Sequence, residues 1–284
     1  MNGACVTSPP SDAVGHLVRV SCCQLAPVFG ELAVNFAMST SAVRAAIDAG
    51  ARLVVLPELT TSGYVFENVD EAQATAITTD HPVFAAWSEQ AARNDAVIVG
   101  GFCELDDDGL YNSAAIVDAA GVRAVYRKTH LWDREKLWFR AGSALPPVIE
   151  TAIGRVGVAL CYDVEFPELT RHLGLGGADI VAVPTNWPFH ERPPGERPPE
   201  VILAMAAARV NRMAIACCDR SGVERGQRWT EGTTIIGSDG WPCVVAGEGG
   251  AMATADLDLA SGRHKRFTDL ADLFGDRRTD LYGA

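Results

Sequence analysis

Three residues of different chemical type stand where apolar runs end. Glu58 closes Leu53 to Glu58 (LVVLPE), Lys128 follows Tyr126-Arg127, and Cys161 follows Arg155 to Leu160 (RVGVAL). A Pro-containing helix start comes a few residues after Cys161, so that thiol sits at a strand-to-helix corner. Such a corner lifts a side chain out of the sheet, and the free N–H groups of a helix start favour a thiolate over a thiol. A carboxylate at a strand tip of an α/β sheet, such as Glu58, lies where these folds keep their ligand crevice. Taken singly, each position also has a plain structural reading: a strand-ending cysteine, a helix-start or surface acid, a solvated lysine. Together they form a set for acyl transfer. A thiol nucleophile needs a base to take its proton, and the tetrahedral intermediate needs a positive donor facing its oxyanion.

The elements that must carry these residues alternate. Val18 to Leu25, Arg52 to Leu56 and Ala96 to Phe102 read as buried strands, with helices over Asn35 to Ala49 and Val83 to Ala92 between them. Tyr111 to Val117 and Val122 to Tyr126 flank a turn and read as a hairpin, which makes the sheet mixed. Strand Val156 to Leu160, a helix from about Pro167, strand Ile180 to Val183, helix Val201 to Asn211 and strand Ala214 to Cys218 continue the pattern. Thr233 to Ile236, Cys243 to Ala246 and Thr254 to Leu257 end the chain with antiparallel-type strands. Strands alternating with helices on a mixed sheet imply a layered α/β domain. The one linker-like piece, Glu191 to Pro199 (ERPPGERPP), is short and stiff and reads as a surface loop beside a pocket, so a single domain is expected.

Composition narrows the partners. A chain of 284 residues with 48% hydrophobic side chains can bury a large core, which excludes disorder and small stapled scaffolds. Apolar stretches such as Ala96 to Phe102 fall far short of the roughly 20 residues of a membrane span. Lys and Arg number 24 against 36 Asp and Glu, a net charge of −12 that repels phosphate backbones, and the basic residues do not cluster. Met1 to His16 has neither the basic start nor the apolar middle of a secretory signal. Cys22-Cys23 and Cys217-Cys218, four of eight cysteines, are adjacent pairs inside apolar runs, as expected for buried thiols in a reducing cytoplasm. Rival chemistries lack their signatures. No G-x-S-x-G elbow occurs, His130, His172 and His190 lack metal-ligand spacing, and Gly174 to Gly177 (GLGG) ends a helix instead of opening one. Neither metal nor cofactor is expected.

With these residues in view, the chain resembles the nitrilase (carbon-nitrogen hydrolase) superfamily. The resemblance is carried by LPE at Leu56 to Glu58, YRKTHL at Tyr126 to Leu131 and GVALCYDVEFPE at Gly157 to Glu168, in order and at similar spacing. YNSA at Tyr111 to Ala114, GADIVAVPTNW at Gly177 to Trp187, ARVNR at Ala208 to Arg212 and DRRTDLY at Asp276 to Tyr282 agree, so it spans about residues 17 to 283. It implies a four-layer α-β-β-α sandwich with a mixed sheet pair, Glu58 as general base, Lys128 as the oxyanion-side cation and Cys161 as nucleophile. It implies a second acid in WDREKLWFRAG (Trp132 to Gly142), which points to Glu135 with Asp133 as the competitor. The backbone N–H of Tyr162 would be a second oxyanion donor.

The residues after Cys161 bear on the substrate. Nitrilases tend to place Trp-Glu there and carbamoylases an Arg shortly after, whereas this chain has Tyr162-Asp163 and then Val164-Glu165, which resembles the amidase-type branches. A small carboxamide substrate is expected, with a ureido compound, a nitrile or a non-catalytic binding member of the fold as alternatives. Trp187, Tyr64, Trp138 and Phe189 are candidates for pocket walls, although aromatics at loop starts are as often plain packing. Residues 1–16 are expected to form a flexible arm and 17–265 the hydrolase domain. The tail 266–284, with Phe267, Leu270, Leu273, Phe274 and Leu281, is expected to cover a partner in a homodimer.

Overall fold

The near-continuous apolar runs become strands buried on both faces. The computed structural model describes residues 17–250 and 252–282, so the expected arm 1–16 lies outside the described residues. The first half contains β1 (Val18–Cys23), α1 (Leu32–Asp48), β2 (Leu53–Val55), α2 (Val69–Thr75), α3 (Pro82–Ala91), β3 (Val97–Asp106), β4 (Gly109–Asp118) and β5 (Gly121–Arg127). The single turn α4 (Glu135–Trp138) leads to β6 (Val148–Thr151), β7 (Gly154–Val158), α5 (Pro167–Leu175), β8 (Ile180–Pro184), α6 (Pro199–Asn211) and β9 (Ala214–Cys218). The chain closes with β10 (Val223–Glu224), β11 (Gln227–Arg228), β12 (Thr234–Ile236), β13 (Pro242–Val245), β14 (Met252–Leu257), β15 (Arg266–Thr268), β16 (Ala271–Asp272) and α7 (Thr279–Tyr282).

Two six-stranded mixed sheets result, in the orders β14-β1-β2-β3-β4-β5 and β13-β12-β9-β8-β7-β6. In each sheet three parallel strands, β1-β2-β3 and β7-β8-β9, are flanked by antiparallel ones. Side chains alternate across a strand, so each run serves two interfaces. Val20, Leu53, Val55 and Val99 meet Val156, Val158, Ile180 and Ala216 between the sheets. Their neighbours Val54, Leu56 and Ile98 pack outward against Val43 and Ile47 of α1 and Val83 and Trp87 of α3. On the other side Val181, Val183 and Ile215 pack against Leu169 and Leu173 of α5 and Ala204 and Ala208 of α6. The layers are therefore α-β-β-α, as expected. No helix among the described residues is long and apolar enough to cross a membrane.

Several boundaries differ from the sequence expectation for local reasons. α1 starts at Leu32, one turn earlier than expected, and β7 covers Gly154–Val158, so Ala159 and Leu160 carry the chain beyond the strand to Cys161. α4 is a single turn, too short to show a period, and β6 is a half-buried edge strand. The tail partly folds onto its own chain: the Arg209 guanidinium of α6 lies 4.0 Å above Phe267 and Arg171 of α5 lies 5.1 Å from Phe274. Leu270 and Leu281 still point outward, at 94% and 71% exposed.

The sheets put chemistry at the carboxyl ends of their parallel strands, where an open crevice forms. Glu58 follows β2, Cys161 follows β7, Thr185 and Asn186 follow β8, and Asp219 follows β9. The Glu58 turn is seated on β3, because Gly101 N–H donates to Pro57 O at 3.1 Å and Thr60 N–H to Gly101 O at 2.9 Å. That approach requires glycine: a Cβ at Gly101 would stand 2.5 Å from Glu58 Cα and from Leu59 N. Gly101→Ala is therefore expected to displace Glu58 and to cost about 1–3 kcal/mol of stability, the usual range for overpacking. Urea unfolding together with an activity assay checks this, and an unchanged midpoint with full activity contradicts it.

Candidate active site

Glu58 and Lys128 are 0% exposed, Glu135 3% and Cys161 5%, so all four predicted catalytic residues are brought together out of water. Lys128 Nζ donates to Glu58 Oε1 at 2.7 Å and to Glu135 Oε1 at 2.8 Å. Asn112 Nδ2 donates to Glu58 Oε1 at 2.7 Å, while Glu58 Oε2 has no hydrogen-bond partner among the described residues. Glu135 is engaged at both oxygens: Tyr64 OH donates to Oε1 at 2.7 Å and Trp132 N–H to Oε2 at 3.0 Å. Asp133 lies exposed in the same segment, so the burial and the lysine contact belong to Glu135.

Charge follows from this geometry. Burial works against the Lys128 ammonium, yet the Glu135 and Glu58 carboxylates outweigh it and hold its pKa well above the ordinary lysine value. Burial pushes Glu58 up to about 7; Lys128 opposes the shift and Glu135 adds to it. A carboxyl poised there is half ionised at neutral pH, as a general base needs.

Cys161 opens a 3-10 turn, Cys161–Glu165, with φ of 47°. The left-handed region is unusual for a residue with a side chain and marks backbone held in place by its surroundings. Here the sequence expectation is corrected in one respect. The helix start does not make the thiol acidic: burial and the Glu58 charge raise its pKa well above the usual cysteine value, with Lys128 and the Thr185 hydroxyl pulling the other way. The resting group is a thiol beside a base. Tyr162 N–H belongs to the first N–H groups of that turn, which lack intrahelical acceptors.

Supporting residues that sequence reasoning did not single out fix these positions. Asp163, fully buried, accepts from Leu160 N–H at 3.2 Å, Tyr126 OH at 2.8 Å and His130 N–H at 3.0 Å, tying the Cys161 turn to the segment that carries Lys128. Its place two residues after the nucleophile, like that of Asn112 within YNSA, was the available signal. Asp219 accepts from Trp187 N–H at 3.0 Å and Gly232 N–H at 2.9 Å. Arg220 Nη1 donates to Glu224 Oε2 at 2.6 Å, and Glu224 Oε1 accepts from Tyr64 N–H at 2.8 Å and Val65 N–H at 2.5 Å. This buried ion pair anchors the loop that presents Tyr64. It also demands glycine at position 63, where φ is +81° and a Cβ would meet Glu224 Oε2 at 2.8 Å. Nothing in the polar stretch around Glu224 announced this role.

A cavity of about 290 Å³ opens beside Glu135 and Tyr64. Tyr64 and Trp138 line it as expected, together with Phe66, Trp132 and Trp229. Trp187 does not line it. Its indole is buried in the core with Val183 and Ala204 and packs on Gly232, where a Cβ would come within 3.0 Å. Phe189 is also absent from the wall, with the Arg228 guanidinium 4.4 Å from its ring.

A buried acid–lysine–acid cluster beside a thiol at strand ends of a four-layer sandwich can carry acyl transfer to sulfur. Residues 19–267 match the profile of the carbon-nitrogen hydrolase family. The chain belongs to that family. A nitrilase of Pyrococcus abyssi is 35% identical over 270 residues, covering 94% of this chain and 99% of the relative. An (R)-stereoselective amidase of a Pseudomonas species is 30% identical over 269 residues, covering 94% and 93%. Among solved structures of carbon-nitrogen hydrolases, the amidase of Nesterenkonia sp. AN1, as an alanine-for-cysteine variant in complex with butyramide, aligns with a TM-score of 0.77. It is 25% identical and covers 96% of this chain and 98% of its own. Another variant of that amidase carries the acetamide moiety of fluoroacetamide added covalently at its active-site cysteine.

The Arg220–Glu224 pair of this carbon-nitrogen hydrolase yields a stability test. Removing one partner strands a buried charge, so Arg220→Ala is expected to cost about 3–5 kcal/mol in urea unfolding. The double variant Arg220→Met with Glu224→Gln keeps an acceptor for the Tyr64 and Val65 N–H groups and should lose less than Arg220→Ala alone. A larger loss in the double variant contradicts the assignment.

Proposed function

We propose that this carbon-nitrogen hydrolase is an amidase that converts a carboxamide to the carboxylic acid and ammonia through a thioester on Cys161. The observation that carries the reading is the unpartnered Oε2 of Glu58, whose other oxygen is held by Lys128 and Asn112. Oε2 takes the thiol proton as Cys161 Sγ attacks the carbonyl carbon. The oxyanion then faces the Lys128 ammonium and the Tyr162 N–H. Glu58 returns the proton to the amide nitrogen, the C–N bond breaks, and ammonia leaves. A water that gives its proton to Glu58 attacks the thioester, which releases the acid and restores the thiol. Glu135, with Lys128, Tyr64 and Trp132 all donating to it, fixes the ammonium in position.

Amides are favoured by the Tyr162-Asp163 flank, by the lack of an arginine just after Cys161, and by relatives and solved neighbours named as amidases. The Pyrococcus relative named a nitrilase keeps a nitrile substrate as the second reading.

Intact-protein mass spectrometry of the enzyme mixed with amides tests the mechanism. The expected result is an acyl adduct that maps to Cys161, disappears in Cys161→Ala and is accompanied by ammonia release. Lys128→Met should slow acylation by at least about 10²-fold, the scale of losing one oxyanion donor. Glu135→Gln should impair turnover far more than Asp133→Asn. Ammonia from nitriles but from no amide would favour the nitrilase reading, and turnover surviving Cys161→Ala would overturn the mechanism.

A further inference from the structure

Six of the thirteen residues that line the cavity beside Glu135 are aromatic: Tyr64, Phe66, Trp132, Trp138, Phe139 and Trp229. Tyr64 and Phe66 come from the loop after β2, Trp132 and Trp138 from the segment around α4, and Trp229 from the loop after β11. Its rings brace one another edge to face, Tyr64 on Trp229 with centroids 5.4 Å apart and Phe66 on Phe139 at 5.7 Å. Arg220 stacks 4.7 Å from the Trp229 ring, so the same buried ion pair that seats Tyr64 also backs this wall. The walls are therefore preorganised, and a bound group meets them with little ordering cost.

Size and charge narrow what fits. A cavity of about 150 Å³ already accepts a benzene ring, and this one measures about 290 Å³, enough for a ring and a short linker. The one carboxylate at its inner end, Glu135, is already matched by Lys128. At the mouth Asp133 and Arg134 are both exposed and opposite in sign, with the Arg134 guanidinium 5.4 Å over Trp138. The remaining polar lining is the neutral amide of Gln227 and the exposed His190, so the cavity offers no spare buried cation for an acyl carboxylate and no spare buried anion for an ammonium. A neutral ring is what aromatic walls of this kind recognise, through offset and edge-to-face contacts.

Resting on the amidase reading above, we propose that this pocket receives the acyl group and selects neutral aryl or arylalkyl carboxamides of the phenylacetamide type over short aliphatic or charged ones. Burial of each methylene-sized group is worth about fourfold, so a buried phenyl group outweighs the contacts of an acetyl group by orders of magnitude.

The test is kcat/KM for acetamide, butyramide, phenylacetamide, 3-phenylpropionamide, succinamate and β-alaninamide, with binding of phenylacetamide to the Cys161→Ala protein followed by calorimetry. The two aryl amides are expected to exceed acetamide by at least about 100-fold, and the two charged amides to fall at or below it. Trp138→Ala should shrink the aryl-to-acetamide ratio at least about tenfold, and Trp138→Phe should recover much of it. If amides are hydrolysed but acetamide, succinamate or β-alaninamide is preferred, the pocket assignment falls and the amidase reading stands. If the Cys161→Ala protein binds phenylacetamide while the intact enzyme releases ammonia from no amide, the amidase reading falls and the pocket assignment stands. Absence of both binding and turnover overturns both.

Discussion

One ammonium group, that of Lys128, sits in the protein interior between two carboxylates, and the active site is organised around it. An isolated buried ammonium would cost several kcal/mol even after relaxation. Glu58 and Glu135, at 2.7 and 2.8 Å, offset that cost, but the cluster then holds two acids for one base. Burial pushes the Glu58 carboxyl up to about 7, with the Glu135 charge adding to the shift and Lys128 opposing it. A residue held mainly for charge compensation would settle at a low pKa and be a poor proton acceptor. Burial, with a second acid beside it, turns an ion pair into a base that works near neutral pH.

Placing four such side chains within one dry volume needs segments far apart in sequence. The layered sheets supply this by ending β2, β7, β8 and β9 at one rim and by bringing the end of β5, which carries Lys128, beside them. The rim is then stitched laterally. Asp163 ties the Cys161 turn to the Lys128 segment, Gly101 lets β3 seat Glu58, and Arg220 with Glu224 holds the loop of Tyr64, whose hydroxyl reaches Glu135. The strained φ of Cys161 is tolerated because both flanks of that turn are fixed. Asp163, Arg220 and Glu224 are themselves buried and charged, so losing any one of these contacts leaves a buried group unpaired.

Much of this was legible in the sequence. Apolar runs such as Arg52 to Leu56 and Ala214 to Cys218 showed the strands because burial on both faces leaves no polar alternation. Glu58, Lys128 and Cys161 were legible as strand-end residues of complementary chemistry, and the family resemblance added Glu135. What stayed hidden depended on contacts between distant segments. Arg220 and Glu224 look like surface charges in a polar stretch, and only the folded chain pairs them against Tyr64. Trp187 suggested a pocket wall by its place after a strand, yet its ring turns into the core against Gly232, a direction that sequence spacing does not encode. The acidity of Cys161 is hidden from the sequence for a similar reason: a helix start is local and visible, whereas burial beside a carboxylate is a property of the assembled site.

The rate of thioester formation as a function of pH tests the Glu58–Lys128–Glu135 arrangement most directly. Below its pKa of about 7 the Glu58 carboxyl is protonated and cannot accept the Cys161 proton, and above it the carboxylate can. Single-turnover acylation should therefore rise about tenfold per pH unit on the acid side and level off near neutrality. In Glu58→Gln the rate should be low throughout and this limb should vanish. A rate that is flat from about pH 5 to about pH 8, or an acid limb that survives Glu58→Gln, would contradict the assignment of Glu58 as the base.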